Sequence, residues 1–258
     1  MGADLSYVFC SSDSATVIKG YSPELIVLPC LDQPNALDEI GVFLPRLHSL
    51  VIGPGLGRND DVLSTVGSLI SILKEKNIPI ILDADALFFV SKCPEIVRGY
   101  TRAILTPNIV EFDRLYSSVF RTENKNNEDP KSIVEELAKT LGNITIIRKG
   151  PEDIVSNGKH TFTCNEIGSP RRCGGQGDLL GGSMGIFSTW SHSAWKNSQL
   201  NQSPIYQKYS ATIIAALGAS MLTRRCARLA FAKHGRSTTT TNMINEIKEA
   251  FNSLYPVD

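Results

Sequence analysis

The stretch Gly168-Ser-Pro-Arg-Arg-Cys-Gly-Gly-Gln-Gly-Asp-Leu-Leu-Gly-Gly182 concentrates more potential chemistry than any other part of the sequence. Gly174, Gly175 and Gly177 stand just ahead of a helix that the pattern predicts to start near Asp178. Glycines let the backbone curl until several N–H groups point at one anion. A helix that follows adds its positive N-terminal end to the same pocket. An Asp at the mouth of such a pocket can take a proton from a hydroxyl as that hydroxyl attacks a phosphoryl group. Asp also starts helices simply as a cap, but the full glycine cluster favours catalysis at Asp178. Arg171 and Arg172, just upstream, are suited to neutralising phosphate charge.

Four other segments carry polar residues at the ends of apolar runs. Gly53-Pro-Gly-Leu-Gly57 follows the run Ser49-Leu-Val-Ile52, at the strand end where open α/β sheets bind ligands. Gly55 and Gly57 there allow close approach of a ligand, or merely a tight turn. Asn108-Ile-Val-Glu111 supplies hard oxygen donors of the kind a hydrated Mg²⁺ accepts. Pro107-Asn108 also reads as a helix cap, and the two roles are compatible. Lys149-Gly-Pro-Glu-Asp153 offers a lysine for phosphate, or a solvated loop lysine. Asp83 and Asp85 close another apolar run and project the same way if the strand continues through them; no role is assigned to either. His48, His160, His192 and His234 have no ligand spacing and are expected at the surface, and Trp190 and Trp195 read as packing residues.

The elements that must position these groups are legible from their periodicity. Leu5–Cys10, Glu24–Leu28, Ser49–Ile52, Pro79–Leu82, Ala103–Thr106 and Asn143–Ile147 are short apolar runs, as strands covered on both faces require. Helical spacing is predicted over Asp60–Lys76, Val110–Val119 and Lys131–Leu141. Alternating strand and helix implies a mostly parallel sheet with right-handed crossovers. Asp153–Gly158 and Lys159–Cys164 form a predicted hairpin around Asn157-Gly158. Beyond Gly177 the pattern is helical, over Asp178–Ser191, Tyr206–His234 and Thr240–Leu254. Thr240 or Thr241 is the expected cap of the last helix, and Ser191–Ser203 the expected surface loop. No interdomain linker interrupts the pattern, so residues 1–258 are expected to form one domain.

Composition narrows the partners. The 258 residues carry 26 basic and 26 acidic side chains and are 42% hydrophobic. That balance gives no basic face for nucleic acid and no acidic tail. No apolar run is long enough to span a membrane. Cys10, Cys30, Cys93, Cys164, Cys173 and Cys226 form no C-x-x-C pair, which argues against a zinc ribbon or a thioredoxin-type site and for a reduced, intracellular setting. The first residues show no signal or transit character.

Taken together and in order, Val51–Arg58, Leu82–Leu87, Leu105–Leu115, Lys149–Asp153 and Gly168–Gly182 resemble the NAD(P)H-hydrate dehydratase family of the ribokinase-like superfamily. The paired arginines match its eukaryotic version, and the resemblance covers nearly the whole chain. It implies a three-layer α/β/α fold with a central, mostly parallel sheet. Families of this kind begin with an earlier strand and helix, so the first β-α unit is expected to be missing here, in an N-terminally shortened form. The implied reaction is ATP-dependent dehydration of the S-form hydrates of NADH and NADPH, with Asp178 as base. The implied substrate contacts are Gly55, Gly57, Asn108, Ile109, Val110, Glu111, Phe112, Asp113, Arg114 and Asp178. The implied ATP contacts are Lys149, Gly150, Pro151, Glu152 and Asp153, together with Gly168, Ser169, Pro170, Arg171, Arg172, Cys173, Gly174, Gly175, Gln176 and Gly177. Mg²⁺ is the implied cofactor, with Asn108 and Glu111 in its phosphate network and no direct ligands assigned. The expected setting is cytoplasmic or mitochondrial, with a homo-oligomer as one arrangement. The alternatives are a ribokinase-like kinase of a vitamin-precursor alcohol and a catalytically silent nucleotide-binding subunit.

Overall fold

Short apolar runs that must be covered on both faces make the centre of this molecule. The computed structural model describes residues 1–122, 129–197 and 202–256. The chain runs β1 (Ser6–Cys10), α1 (Ser12–Lys19), β2 (Leu25–Pro29), α2 (Ala36–Phe43), β3 (Leu50–Ile52), α3 (Asp60–Glu75), β4 (Ile80–Leu82), α4 (Ala84–Lys92), β5 (Ala103–Leu105), α5 (Ile109–Phe120) and α6 (Pro130–Thr140). It continues as β6 (Thr145–Arg148), β7 (Asp153–Ser156), β8 (Thr161–Cys164), α7 (Gln176–Lys196), α8 (Pro204–Lys208), α9 (Ala211–His234), α10 (Thr240–Asn245) and α11 (Ile247–Leu254).

Strands β3 to β8 form one sheet in sequence order, parallel from β3 to β6 and antiparallel from β6 to β8. The expected hairpin is present. Asn157 accepts bonds from the amides of Lys159 and His160 through Oδ1, which fixes its turn. Strands β1 and β2 pair in parallel as a separate two-stranded sheet. The expected single sheet is thus divided, with the strands facing each other across a cleft described below.

Successive residues of the central strands serve opposite layers, because side chains alternate across a sheet. Ile80, Leu82, Ala103, Leu105 and Ile146 join the core built by α3, α4, α5 and α6. Ile81, Ile104 and Ile147 join the core built by α7, α9, α10 and α11. Each such side chain is removed from water, and complete burial of an Ile or Leu contributes about 1.5–3 kcal/mol. Layers on both faces explain why these strands read as unbroken apolar runs.

Several predicted boundaries move. Helix α7 starts two residues before Asp178 and continues to Lys196, so Ser191–Lys196 is helical rather than loop; residues 198–201 of that predicted loop lie outside the described residues. The expected Tyr206–His234 helix breaks at Tyr209-Ser210, where the Ser210 hydroxyl caps α9 by accepting from Ile213 N. Thr239, not Thr240 or Thr241, caps α10, in a reciprocal box with Asn242. The last helix divides at Glu246, which is turned inward and held by Lys233 Nζ at 2.7 Å.

His192 also departs from expectation. It is buried on α7, and its Nε2 has no hydrogen-bond partner. Burial first, then the charges of Arg102 and Lys196, push its pKa down to about 4. The unfolded chain binds a proton near pH 6.5 that the folded chain refuses, so stability falls as pH drops from about 6.5 towards 4. Between pH 7 and pH 5 the loss attributable to this residue is about 2 kcal/mol. Denaturant midpoints at the two pH values check it: His192→Leu should shed that part of the acid sensitivity, and an unchanged pH dependence would exclude it.

Candidate active site

Four parallel strands deliver their C-terminal ends to one place. Gly53 follows β3, Asp83 follows β4, Thr106-Pro107-Asn108 follows β5 and Lys149 follows β6. Backbone bonds from Asp83 N to Ile52 O, Thr106 N to Leu82 O and Lys149 N to Pro107 O carry the ladder just past the strands, so these residues hold fixed relative positions.

The chain does not continue extended through Asp83 to Asp85. It turns at Ala84, a non-glycine residue with φ of 48°, and enters α4. The two carboxylates therefore part. Asp83 is buried and receives Lys149 Nζ at 2.7 Å. Asp85 receives Gly57 N at 3.1 Å and Arg58 Nε at 3.0 Å, tying the glycine loop to α4. Lys149 Nζ also lies 4.0 Å from Glu111 Oε2. A single lysine thus joins the ends of β4 and β6 to the start of α5.

Asn108 and Glu111 form a reciprocal capping box: Asn108 Oδ1 accepts from Glu111 N at 3.0 Å and Glu111 Oε2 accepts from Asn108 N at 2.8 Å. Both expected roles of this pair remain open, since Glu111 keeps Oε1 outside the box. Phe112 differs from its neighbours in this segment. At 3.6 residues per turn, consecutive residues of α5 cannot share one face, and Phe112 is fully buried in the core. Ile109 and Val110 are exposed, as is Arg114.

The glycine cluster forms the other wall. Gly175 takes φ of 84° as the N-cap of α7, which makes Asp178 the third helical residue. The first bond of the helix runs from Leu179 N to Gly175 O, and the amides of Gln176, Gly177 and Asp178 have no partner among the described residues. A methyl group on Gly177 would sit 3.2 Å from Asp83 Oδ2 and 3.8 Å from Lys149 Nζ, so the free helix end abuts the Asp83–Lys149 pair. Burial, and next the negative charge of Asp83, raise the pKa of Asp178, while Lys149 opposes them. Asp178 lines a cleft of about 1040 Å³ shared by β1, β3, α7 and the Gly53–Leu56 turn.

Residues that sequence reasoning missed hold this frame. Arg224 on α9 donates to Gly150 O at 2.9 Å, Pro151 O at 2.8 Å and both oxygens of Asp153. Ser220 adds a bond to Asp153 at 2.7 Å. Asp153 is thus committed inward and shapes the Lys149–Asp153 loop from beneath. Thr240 on α10 donates to Gly174 O and braces the glycine turn. Contacts separated by about seventy residues leave no spacing signal in a sequence. Arg171 and Arg172 are both exposed, and Gln176 Nε2 donates to Arg171 O at 3.2 Å.

A mostly parallel sheet between helical layers, with a glycine-capped helix at its strand ends, is the ribokinase-like fold. A ribokinase-like superfamily protein of Enterococcus faecalis superposes with a TM-score of 0.72 at 20% identity, covering 96% of this chain and 78% of that one. The family model for NAD(P)H-hydrate dehydratase matches residues 1–249. The ATP-dependent (S)-NAD(P)H-hydrate dehydratase of Danio rerio is 51% identical over 255 residues, 99% of this chain and 75% of that protein. The protein of that name from Homo sapiens is 49% identical over the same length, 71% of its own. This chain belongs to the NAD(P)H-hydrate dehydratase family.

Proposed function

We propose that this chain dehydrates the S-form hydrates of NADH and NADPH at the expense of ATP, acting over residues 1–258 as one ribokinase-like unit. The observation that carries the chemistry is Asp178, with a raised pKa, on the first turn of a helix whose leading amides are free. The family membership and the 51% and 49% identities to dehydratases support the substrate.

Hydroxide leaves a carbon poorly, whereas a phosphate ester leaves readily. Asp178 takes the proton of the hydrate's hydroxyl as its oxygen attacks the γ-phosphoryl of ATP and ADP departs. The amides of Gly174 to Asp178, the N-terminal dipole of α7 and Lys149 stabilise the negative charge on the transferring oxygens. The ring nitrogen's lone pair then expels phosphate from the adjacent carbon, and loss of the neighbouring proton restores the dihydronicotinamide. The hydrate and ATP give NAD(P)H, ADP, phosphate and a proton; the oxygen of the lost water leaves in phosphate.

In this reading Gly55, Gly57, Asn108, Glu111, Asp113 and Arg114 border the dinucleotide. The Lys149–Asp153 loop and Gly168–Gly177 border ATP. The role of Asp153 is to shape its loop through Arg224, and Phe112 acts only as core. Among the described residues no three His, Cys, Asp or Glu side chains converge as a metal cage. The donor set suits Mg²⁺ all the same, because that ion keeps its waters and binds through substrate phosphates with one or two carboxylates. Glu111, through Oε1, would help to hold the ion, and the ion would supply neutralisation of negative charge on the ATP phosphates. Among the described residues no helix is long and apolar enough to cross a membrane.

Incubation with the S-hydrate of NADH, ATP and Mg²⁺ tests the proposal. The near-ultraviolet absorbance of reduced nicotinamide should return with one phosphate released per turnover. Accumulation of a phosphorylated alcohol from a vitamin precursor, with no recovery of NADH, would replace it by the kinase reading.

A further inference from the structure

Away from the glycine cradle, three cations converge on one aromatic ring. Arg58 Cζ lies 4.2 Å, Lys92 Nζ 4.7 Å and Arg114 Cζ 5.7 Å from the centroid of Phe88 on α4. Each pair of cations is therefore within roughly 10 Å, about one Debye length, so their mutual repulsion is not screened away. The face of an aromatic ring attracts cations and helps to hold them there. Asp85 binds Arg58 through Nε alone. The terminal nitrogens of Arg58, the Lys92 ammonium and the Arg114 guanidinium donate no hydrogen bond to any described residue. Such a cluster gains most from an anion with several oxygens, and the planar forks of two arginines match a phosphate.

Its place in the fold says which anion. The turn at Ala84 sends Asp83 to one side and Asp85 to the other. On Asp83's side lie Lys149 and the free amides of α7, where the phosphates of ATP belong. On Asp85's side lie Gly57, whose amide it holds, and then the cations around Phe88. Two separate anion-attracting surfaces call for two phosphate-bearing ligands, and the dinucleotide is the second. We propose that Arg58, Lys92 and Arg114 around Phe88 form the subsite for a phosphate of the dinucleotide substrate. This rests on the dehydratase reading for the identity of the substrate, though not for the binding of a phosphate. Two phosphates share this chemistry: the 2′-phosphate peculiar to the NADPH form, and the diphosphate common to both forms.

The double variant Lys92→Gln/Arg114→Gln changes two exposed side chains and separates these outcomes. KM for the NADPH hydrate should rise about tenfold or more while KM for ATP stays within about twofold. An unaltered KM for the NADH hydrate assigns the subsite to the 2′-phosphate, and an equal rise for both assigns it to the diphosphate. Unchanged KM for both hydrates overturns the proposal. Calorimetric titration with NADP⁺ supplies a readout independent of turnover. If the wild type fails to dehydrate but binds NADP⁺ about tenfold more tightly than the double variant, the subsite stands and the dehydratase reading falls. Equal binding by both proteins, or none by the wild type, overturns the subsite itself.

Discussion

Asp178→Asn should lower kcat by about a thousandfold or more while KM for ATP changes little. The amide has the shape of the carboxylate but cannot take a proton. The amides of Gln176 and Gly177, which have no partner among the described residues, and the Lys149–Asp83 pair are left as they were, so the phosphate site of the proposed mechanism persists. Because burial and Asp83 raise the pKa of Asp178, the ionised form is the strained one in the folded protein. A carboxyl whose folded pKa lies above its unfolded value contributes stability at low pH, and that contribution is lost as pH rises through the folded value. At neutral pH the variant should therefore melt no lower than the wild type, and the acid limb of the wild-type rate profile should be displaced upward from that of an ordinary Asp. Stopped-assay turnover, a thermal melt and a pH profile check the three statements. Full turnover by Asp178→Asn would remove this residue from the base role, and a lowered melting point would point to a structural cap instead.

Gly53→Ala should cost roughly 3 kcal/mol or more, and KM for the hydrate should rise with it. Gly53 has φ of 122°, and a Cβ there would stand 1.8 Å from the carbonyl oxygen of Asp83 and 2.8 Å from the Ala86 Cβ. Neither neighbour can yield, since one is backbone at the turn into α4 and the other is wholly buried. Any adjustment displaces Asp83, and with it the partner of Lys149. Gly55→Ala is the matching control: φ is also positive, at 66°, but a Cβ would meet nothing within 4 Å. Its cost should be about 1 kcal/mol, from backbone strain alone. Urea denaturation of both variants decides, and equal costs would show that the close approach at Gly53 can relax.

Taken alone, the sequence determined the parts that depend on near neighbours. Apolar runs located six of the eight strands to within a residue or two, because a strand covered on both faces must be apolar along its whole length, and the hairpin signal located β7 and β8. The glycines before Asp178 announced a helix start with exposed amides, and Asn157-Gly158 announced its hairpin, since φ and capping preferences are local. Helices α1, α2 and α4 were not foreseen, being little more than two turns long with weak periodicity, and the buried His192 resembled a surface histidine.

Only the tertiary structure decided what each charged group does. Asp83 and Asp85 look equivalent two residues apart, yet a turn at Ala84 gives one to Lys149 and the other to the Gly57 loop. Phe112 lies between the charged Glu111 and Asp113 and goes to the core because its helix must turn that position inward. Arg224 and Thr240 reach the Lys149–Asp153 loop and the Gly174 turn from helices far along the chain, and Arg58, Lys92 and Arg114 meet over Phe88 from three elements. Such meetings arise from how layers pack, and pairing in space between distant residues leaves no periodic trace in a single chain.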